Sequence, residues 1–88
     1  MKTAKVRRIN LATKQIFKEI PRNSLEKIVI SESEWREASY LDIRIYYDAS
    51  NGQGTGWRPT KKGLTIRHED LADFKKAIDT AYEELVKL

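Results

Sequence analysis

Apolar and polar positions alternate most regularly between Tyr40 and Tyr47. Leu41, Ile43 and Ile45 fall on one side, Asp42, Arg44 and Tyr46 on the other. A period of two marks a strand with one face buried. Upstream, residues 14–20 (KQIFKEI) read as a shorter strand, with Ile16 and Ile20 on a common face and Lys18 between them. Pro21 ends it, since proline cannot donate to a ladder, and Pro21-Arg22-Asn23-Ser24 reads as a turn. Residues 26–35 (EKIVISESEW) allow two readings. Ile28, Val29 and Ile30 favour a strand, whereas Ser31 followed by Glu34 has the form of a helix capping box. A helix starting there would have to stop by Tyr40, and so short a helix with poor apolar periodicity would be weak. A strand running to Trp35, followed by a turn over residues 36–39, is the better reading.

Beyond the central strand lies a loop over residues 48–56 that holds Gly52, Gly54 and Gly56. It does not read as a phosphate-binding loop, because no Gly-Lys-Ser/Thr follows and no helix opens at its end. The chain re-enters a strand over residues 61–66 (KKGLTI), where Gly63 marks a bulge or a close backbone approach. The last element runs from about His68 to Val86. Leu71, Phe74, Ile78, Ala81, Leu85 and Leu88 are spaced alternately three and four apart, a heptad seam. Ala77 and Tyr82 flank it, and Glu69, Asp70 and Asp73 in the first turns suit the helix dipole. The seam predicts a helix that covers its own sheet and also pairs with its twin in a second copy.

The length of 88 residues suits one domain, and a chain this short buries a thin core. It has no cysteine and a single histidine, His68. Neither a disulfide nor a cysteine- or histidine-built metal site is therefore expected, and no cofactor is implied. Carboxylate pairs such as Glu32/Glu34 and Glu69/Asp70 are ordinary in strands and helices. With no cysteine nucleophile, no second histidine and no glycine-flanked serine, the chain does not read as an enzyme. No apolar run approaches a membrane span, and the first residues lack the apolar segment of a signal peptide. The expectation is a soluble protein of the cytoplasm, nucleoid-associated, or of the nucleus in a eukaryote, with no membrane partner.

Charge changes the picture. Lys and Arg outnumber Asp and Glu by 17 to 13, and the excess is uneven: +6 over residues 1–30, zero over 31–66 and −2 over 67–88. A basic front suits a polyanionic partner. Residues 1–13, with Lys2, Lys5, Arg7 and Arg8, read as a flexible basic arm ahead of a domain over 14–88. Aromatic residues stand beside cations: Trp35 with Arg36, then Tyr47, then Trp57 with Arg58, Lys61 and Lys62. Rings that stack on bases and cations that meet phosphates are what single-strand binders use. Each ring taken alone suits a small core equally well. Trp57 reads either as a base contact or as a pin for the loop, Tyr46 reads as structural, and Arg44 either meets nucleic acid or pairs with Asp42.

Residues 41–47 (LDIRIYY), residues 58–66 (RPTKKGLTI) and the amphipathic helix together resemble the positive cofactor four family of transcriptional coactivators. The likeness covers residues 15–86 and is closest to the compact bacterial or phage members. It implies an α+β fold, a four-stranded antiparallel curved sheet followed by one C-terminal helix, dimerised through the helices. That assigns Leu71, Phe74, Ile78, Ala81 and Leu85 of the seam, with the flanking Tyr82, to the dimer interface. It further implies single-stranded DNA as the partner, with RNA or melted duplex as variants, and a role in transcription regulation or DNA maintenance beside the transcription machinery. Trp35 and Tyr47 then match base-stacking aromatics, and Arg36, Arg44, Arg58, Lys61 and Lys62 match cations along the path. The loop after Tyr47 is longer than the family's usual one, and Glu32 and Glu34 stand where a basic residue is expected. The alternatives are an RNA-binding protein and a protein-interaction module with vestigial DNA binding, the latter suggested by those glutamates.

Overall fold

The computed structural model describes residues 12–87. Four strands, β1 (Ala12–Pro21), β2 (Glu26–Trp35), β3 (Ala38–Asp48) and β4 (Trp57–Arg67), lead through one 3-10 turn (His68–Asp70) into a helix, α1 (Leu71–Val86). The strands pair in chain order as an antiparallel meander. The capping-box reading of residues 31–34 loses, because Ser31 and Glu34 pair with Asp42 and Ser39 inside the β2–β3 ladder. That ladder runs without interruption from Glu26↔Tyr47 to Trp35↔Ala38. Arg36 and Glu37 close it with φ of 53° and 65°, so the turn is two residues long. Positive φ at both central positions is the hairpin turn that matches strand twist.

Register assigns every β3 side chain to a face. Asp42, Arg44 and Tyr46 share one face with Val29, Ser31, Ser33 and Trp35. Leu41, Ile43 and Ile45 share the other with Ile28, Ile30, Leu64 and Ile66. The sheet curls toward the first face: Val29, Ser31 and Ser33 are each 1% exposed. The apolar second face stays largely uncovered. Ile66 is buried there, but Leu64 is 49% exposed and Ile20 41%. Val29 and Ile66 are the buried hydrophobic residues among those described.

Three expectations need correction. Ile16 and Ile20 do not share a face. Ile20 pairs with Ile28 and Ile16 with Ser31, and the register shifts between them at Phe17. A bulge adds one residue to one strand and so flips the alternation that follows. The last strand starts at Trp57 rather than at Lys61, since Trp57 and Arg58 already pair with Asp48 and Tyr47. Finally, α1 does not cover its own sheet. None of its residues is buried; Leu71 and Phe74 are half-buried at its root, while Ile78, Ala81, Tyr82 and Leu85 are exposed. Leu88 lies outside the described residues, as does the basic arm up to residue 11; residues 12 and 13 open β1.

Candidate nucleic-acid interface

The inner face of the curled sheet carries a groove of about 820 Å³ lined by Trp35, Tyr40, Tyr46, Arg44, Lys61 and Thr65, with Ser33 and Asp42 also in its lining. Positions 40, 42, 44 and 46 reach it because they share the parity of one strand face. Trp35 enters from the end of β2, half-buried, with the Arg36 guanidinium 4.6 Å above its ring. Lys61 comes from β4 through an irregularity. Arg44 pairs with Gly63 and Tyr46 with Pro59, so residues 60–62 stand against Ile45 alone. The extra residues form a bulge, and it displays Lys61 and Lys62 in exposed positions. Gly63 is needed here: a Cβ would run into the Ile43 carbonyl oxygen and lie 2.9 Å from the Arg44 Cα.

Arg44 holds this bulge in place. Its Nε and Nη2 donate to the two carboxylate oxygens of Asp42 at 3.1 and 2.8 Å, and its Nη1 donates to the Thr60 carbonyl at 3.0 Å. The two side chains are 16% and 6% exposed. The Asp42 hydrogen bonds raise the Arg44 pKa above its ordinary value, against an opposing effect of burial. Thr60 adds a second tie, its hydroxyl donating to the Ile45 carbonyl at 2.8 Å and accepting from the Lys62 amide at 3.1 Å. Arg44 therefore lines the groove but is committed to the protein, in line with the ion-pair reading of its sequence position.

The predicted aromatic and basic residues do not form one cluster. Trp35, Arg44 and Lys61 meet in the groove. Trp57 lies on the same face at the far end, with the Lys27 ammonium 4.4 Å from its ring centre and Glu19 2.8 Å from that ammonium. Tyr47 and Arg58 pair directly with each other across β3 and β4 on the opposite face, and both are exposed. Arg36 is exposed at the hairpin turn. Glu32 and Glu34 alternate with Ser33 and Trp35 and so face away from the groove. Tyr40, Ser33 and Thr65, not singled out in the sequence, line the groove as well, as does Tyr46, which the sequence reads as structural. The signal was available: they share a strand face with Arg44, either on β3 or opposite it. The Ser33 hydroxyl is buried without a hydrogen-bond partner.

The long loop is organised by one carboxylate. Asp48 accepts from the Ser50 amide at 2.9 Å and from the Ser50 hydroxyl. It also accepts from the amides of Gly52, Gly54 and Gly56 at 3.1, 2.6 and 3.2 Å. The Ser50 hydroxyl, followed by the amides of Ser50, Gly54 and Gly56, lowers the Asp48 pKa from 3.8 to about 2 against the cost of burial. Gly52 and Gly54 have φ of 94° and 79°, which lets successive amides point inward. The five donors surround an acid, which is the opposite of a phosphate cradle. Among the described residues no group of His, Cys, Asp and Glu is placed to hold a metal ion. No helix there is long and apolar enough to cross a membrane.

Comparison with known proteins agrees with this architecture. A PC4 homolog from Burkholderia pseudomallei, in its orthorhombic crystal form, superposes with a TM-score of 0.71. It is 26% identical over 83% of this chain and 93% of its own. The tetragonal form gives a TM-score of 0.70 at 24% identity, covering 81% of this chain and 98% of that one. No curated protein sequence matches the chain. The family model described as Transcriptional Coactivator p15 (PC4) matches residues 23–77, from the β1–β2 turn into the helix. That is well over half of the 88 residues, and the chain belongs to the PC4 family.

Proposed function

We propose that this chain binds single-stranded DNA as a homodimer, tolerantly of sequence, and serves transcription regulation or DNA maintenance. The observation that carries the reading is the inner-face groove, where Trp35, Tyr40 and Tyr46 stand beside the basic bulge of Lys61 and Lys62. Unpaired bases offer faces for these rings, at about 1–3 kcal/mol per stacked base. The phosphates meet cations and release counterions. In a duplex the base faces are already stacked, so the single strand is preferred. The dimer reading rests on the uncovered apolar surfaces. Ile78, Tyr82 and Leu85 on α1 are 51%, 65% and 65% exposed, and the apolar sheet face is half-open. A second copy that laid its helix seam against both would bury them.

Fluorescence anisotropy with a labelled mixed-sequence single strand, at two salt concentrations and beside the same sequence as duplex, tests the reading. Tight, salt-sensitive binding that favours the single strand supports it. Replacing Lys61 and Lys62 by alanine should then weaken binding and flatten the salt slope by about one unit for each lost phosphate contact. Absence of binding at low salt, or equal binding to duplex, overturns it. A matched RNA strand in the same assay separates DNA from RNA preference through the 2′-hydroxyl.

A further inference from the structure

We infer that Asn51-Gly52 is a latent deamidation site, kept unreactive by Asp48 and released when the loop opens. The chain has three asparagines, Asn10, Asn23 and Asn51, and Asn51 is the one followed by glycine. An asparagine side chain is lost when the backbone nitrogen of the next residue attacks its amide carbon. The new N–Cγ bond closes a five-membered succinimide ring and ammonia leaves. Water then opens the ring at either carbonyl, giving aspartate or isoaspartate. Glycine at the attacking position lacks the Cβ that would obstruct ring closure. An exposed Asn-Gly pair in a loop is accordingly the most reactive such pair in an unstructured chain.

Here the attacking atom is occupied. The Gly52 amide donates to Asp48 Oδ2 at 3.1 Å. The nitrogen must lose that proton to become a nucleophile, and it would have to do so against a carboxylate. Two effects therefore act together. The hydrogen bond stabilises the protonated amide, and the negative charge of Asp48 opposes a second negative charge beside it. The neighbouring backbone is pinned too: the Asn51 amide donates to the Asp48 carbonyl at 3.2 Å, and Gly54 and Gly56 donate to the same carboxylate. Asn51 itself is exposed, so water reaches the site, and what holds the reaction back is the nucleophile. Conversion would add an acid, or an extra backbone carbon in isoaspartate, directly before the Gly52 amide that Asp48 holds.

The test follows the Asn51 peptide by mass spectrometry, with an isoaspartate-directed methyl-transfer assay alongside, in mildly alkaline buffer. The folded chain is compared with the same chain in urea and with folded Asp48→Ala. A hydrogen bond to a charged group corresponds to slowing of roughly ten- to a hundredfold, so the folded wild type should convert slower than the urea sample by that factor. Asp48→Ala, shown folded by circular dichroism, should convert close to the urea rate. Should the variant fail to fold, the folded and unfolded wild type still decide the matter. Equal rates in those two samples overturn the proposal. Equal slow rates in folded wild type and folded Asp48→Ala overturn the assignment of the hold to Asp48.

Discussion

Trp35 and Tyr47 stand on opposite faces of the sheet and at opposite ends of the same ladder. Trp35 pairs with Ala38 at the hairpin turn and Tyr47 pairs with Glu26 nine residues further along β3. At about 3.3 Å per residue, roughly 30 Å separates them. One short oligonucleotide on one protomer cannot stack on both rings. For oligomers of about four nucleotides, at the low end of single-strand site sizes, Trp35→Ala should reduce affinity by about 1–3 kcal/mol and Tyr47→Ala should leave it unchanged. Longer strands should respond to both substitutions. A titration series in oligomer length checks this. Equal sensitivity to Tyr47→Ala at every length would place the path elsewhere.

Asp42 and Arg44 should be a stability pair before they are a binding pair. Both side chains are largely buried and joined by two hydrogen bonds. Removing one partner of such a pair leaves an uncompensated charge. Asp42→Ala should cost roughly 3–5 kcal/mol in a denaturant titration. Arg44→Ala should also free the Thr60 carbonyl and loosen the Lys61–Lys62 bulge. If Arg44 instead met a phosphate, its removal would lower the salt slope by about one unit with little loss of stability. Measuring slope and denaturation midpoint on the same variant separates the two outcomes.

Much of this architecture was legible in the chain. The alternation of Leu41, Ile43 and Ile45 with Asp42 and Arg44 placed β3 and both its faces, and the order of four strands followed by one helix is the one the patterning predicts. What escaped has a physical cause in each case. The bulge at Phe17 breaks the parity that put Ile16 with Ile20, and no local residue announces it. The turn at Arg36 and Glu37 has positive φ without glycine or asparagine, so β3 starts earlier than the sequence suggests. The five donors of Asp48 belong to a loop whose glycine spacing alone does not reveal which acid the amides enclose. The heptad seam of α1 was visible, but periodicity does not say which surface it meets, and within one protomer only its root at Leu71 and Phe74 is half-buried while Ile78, Ala81 and Leu85 stay exposed.

Asp48 should give the glycine loop an acid-sensitive order. Its pKa in the folded chain is about 2, below the ordinary 3.8. A depressed carboxylate stabilises the fold above its ordinary value, and that contribution fades as pH falls through about 4 toward about 2. Protection of the Gly52, Gly54 and Gly56 amides from hydrogen exchange, corrected for intrinsic rates, should fall across that window. In Asp48→Ala protection should be low and flat over the same range. Protection in the wild type that is level down to pH of about 2 would mean the carboxylate does not order the loop.

The helix makes the last prediction, and it separates assembly from folding. Ile78 and Leu85 lie on the seam, 51% and 65% exposed, and α1 buries none of its residues within the protomer. A charge at either position removes little from the protomer's own packing. Ile78→Asp should therefore leave circular dichroism nearly intact, while the denaturation midpoint falls because the stabilisation from the second copy is lost. In sedimentation it should convert a dimer to a monomer, because the aspartate would have to be desolvated against the facing apolar surface. Affinity for long single strands should drop with it, since two linked grooves bind more tightly than one, while affinity for very short strands should hold. A wild-type chain that sediments as a monomer at micromolar concentration would leave the seam unexplained and remove the dimer from the proposed function.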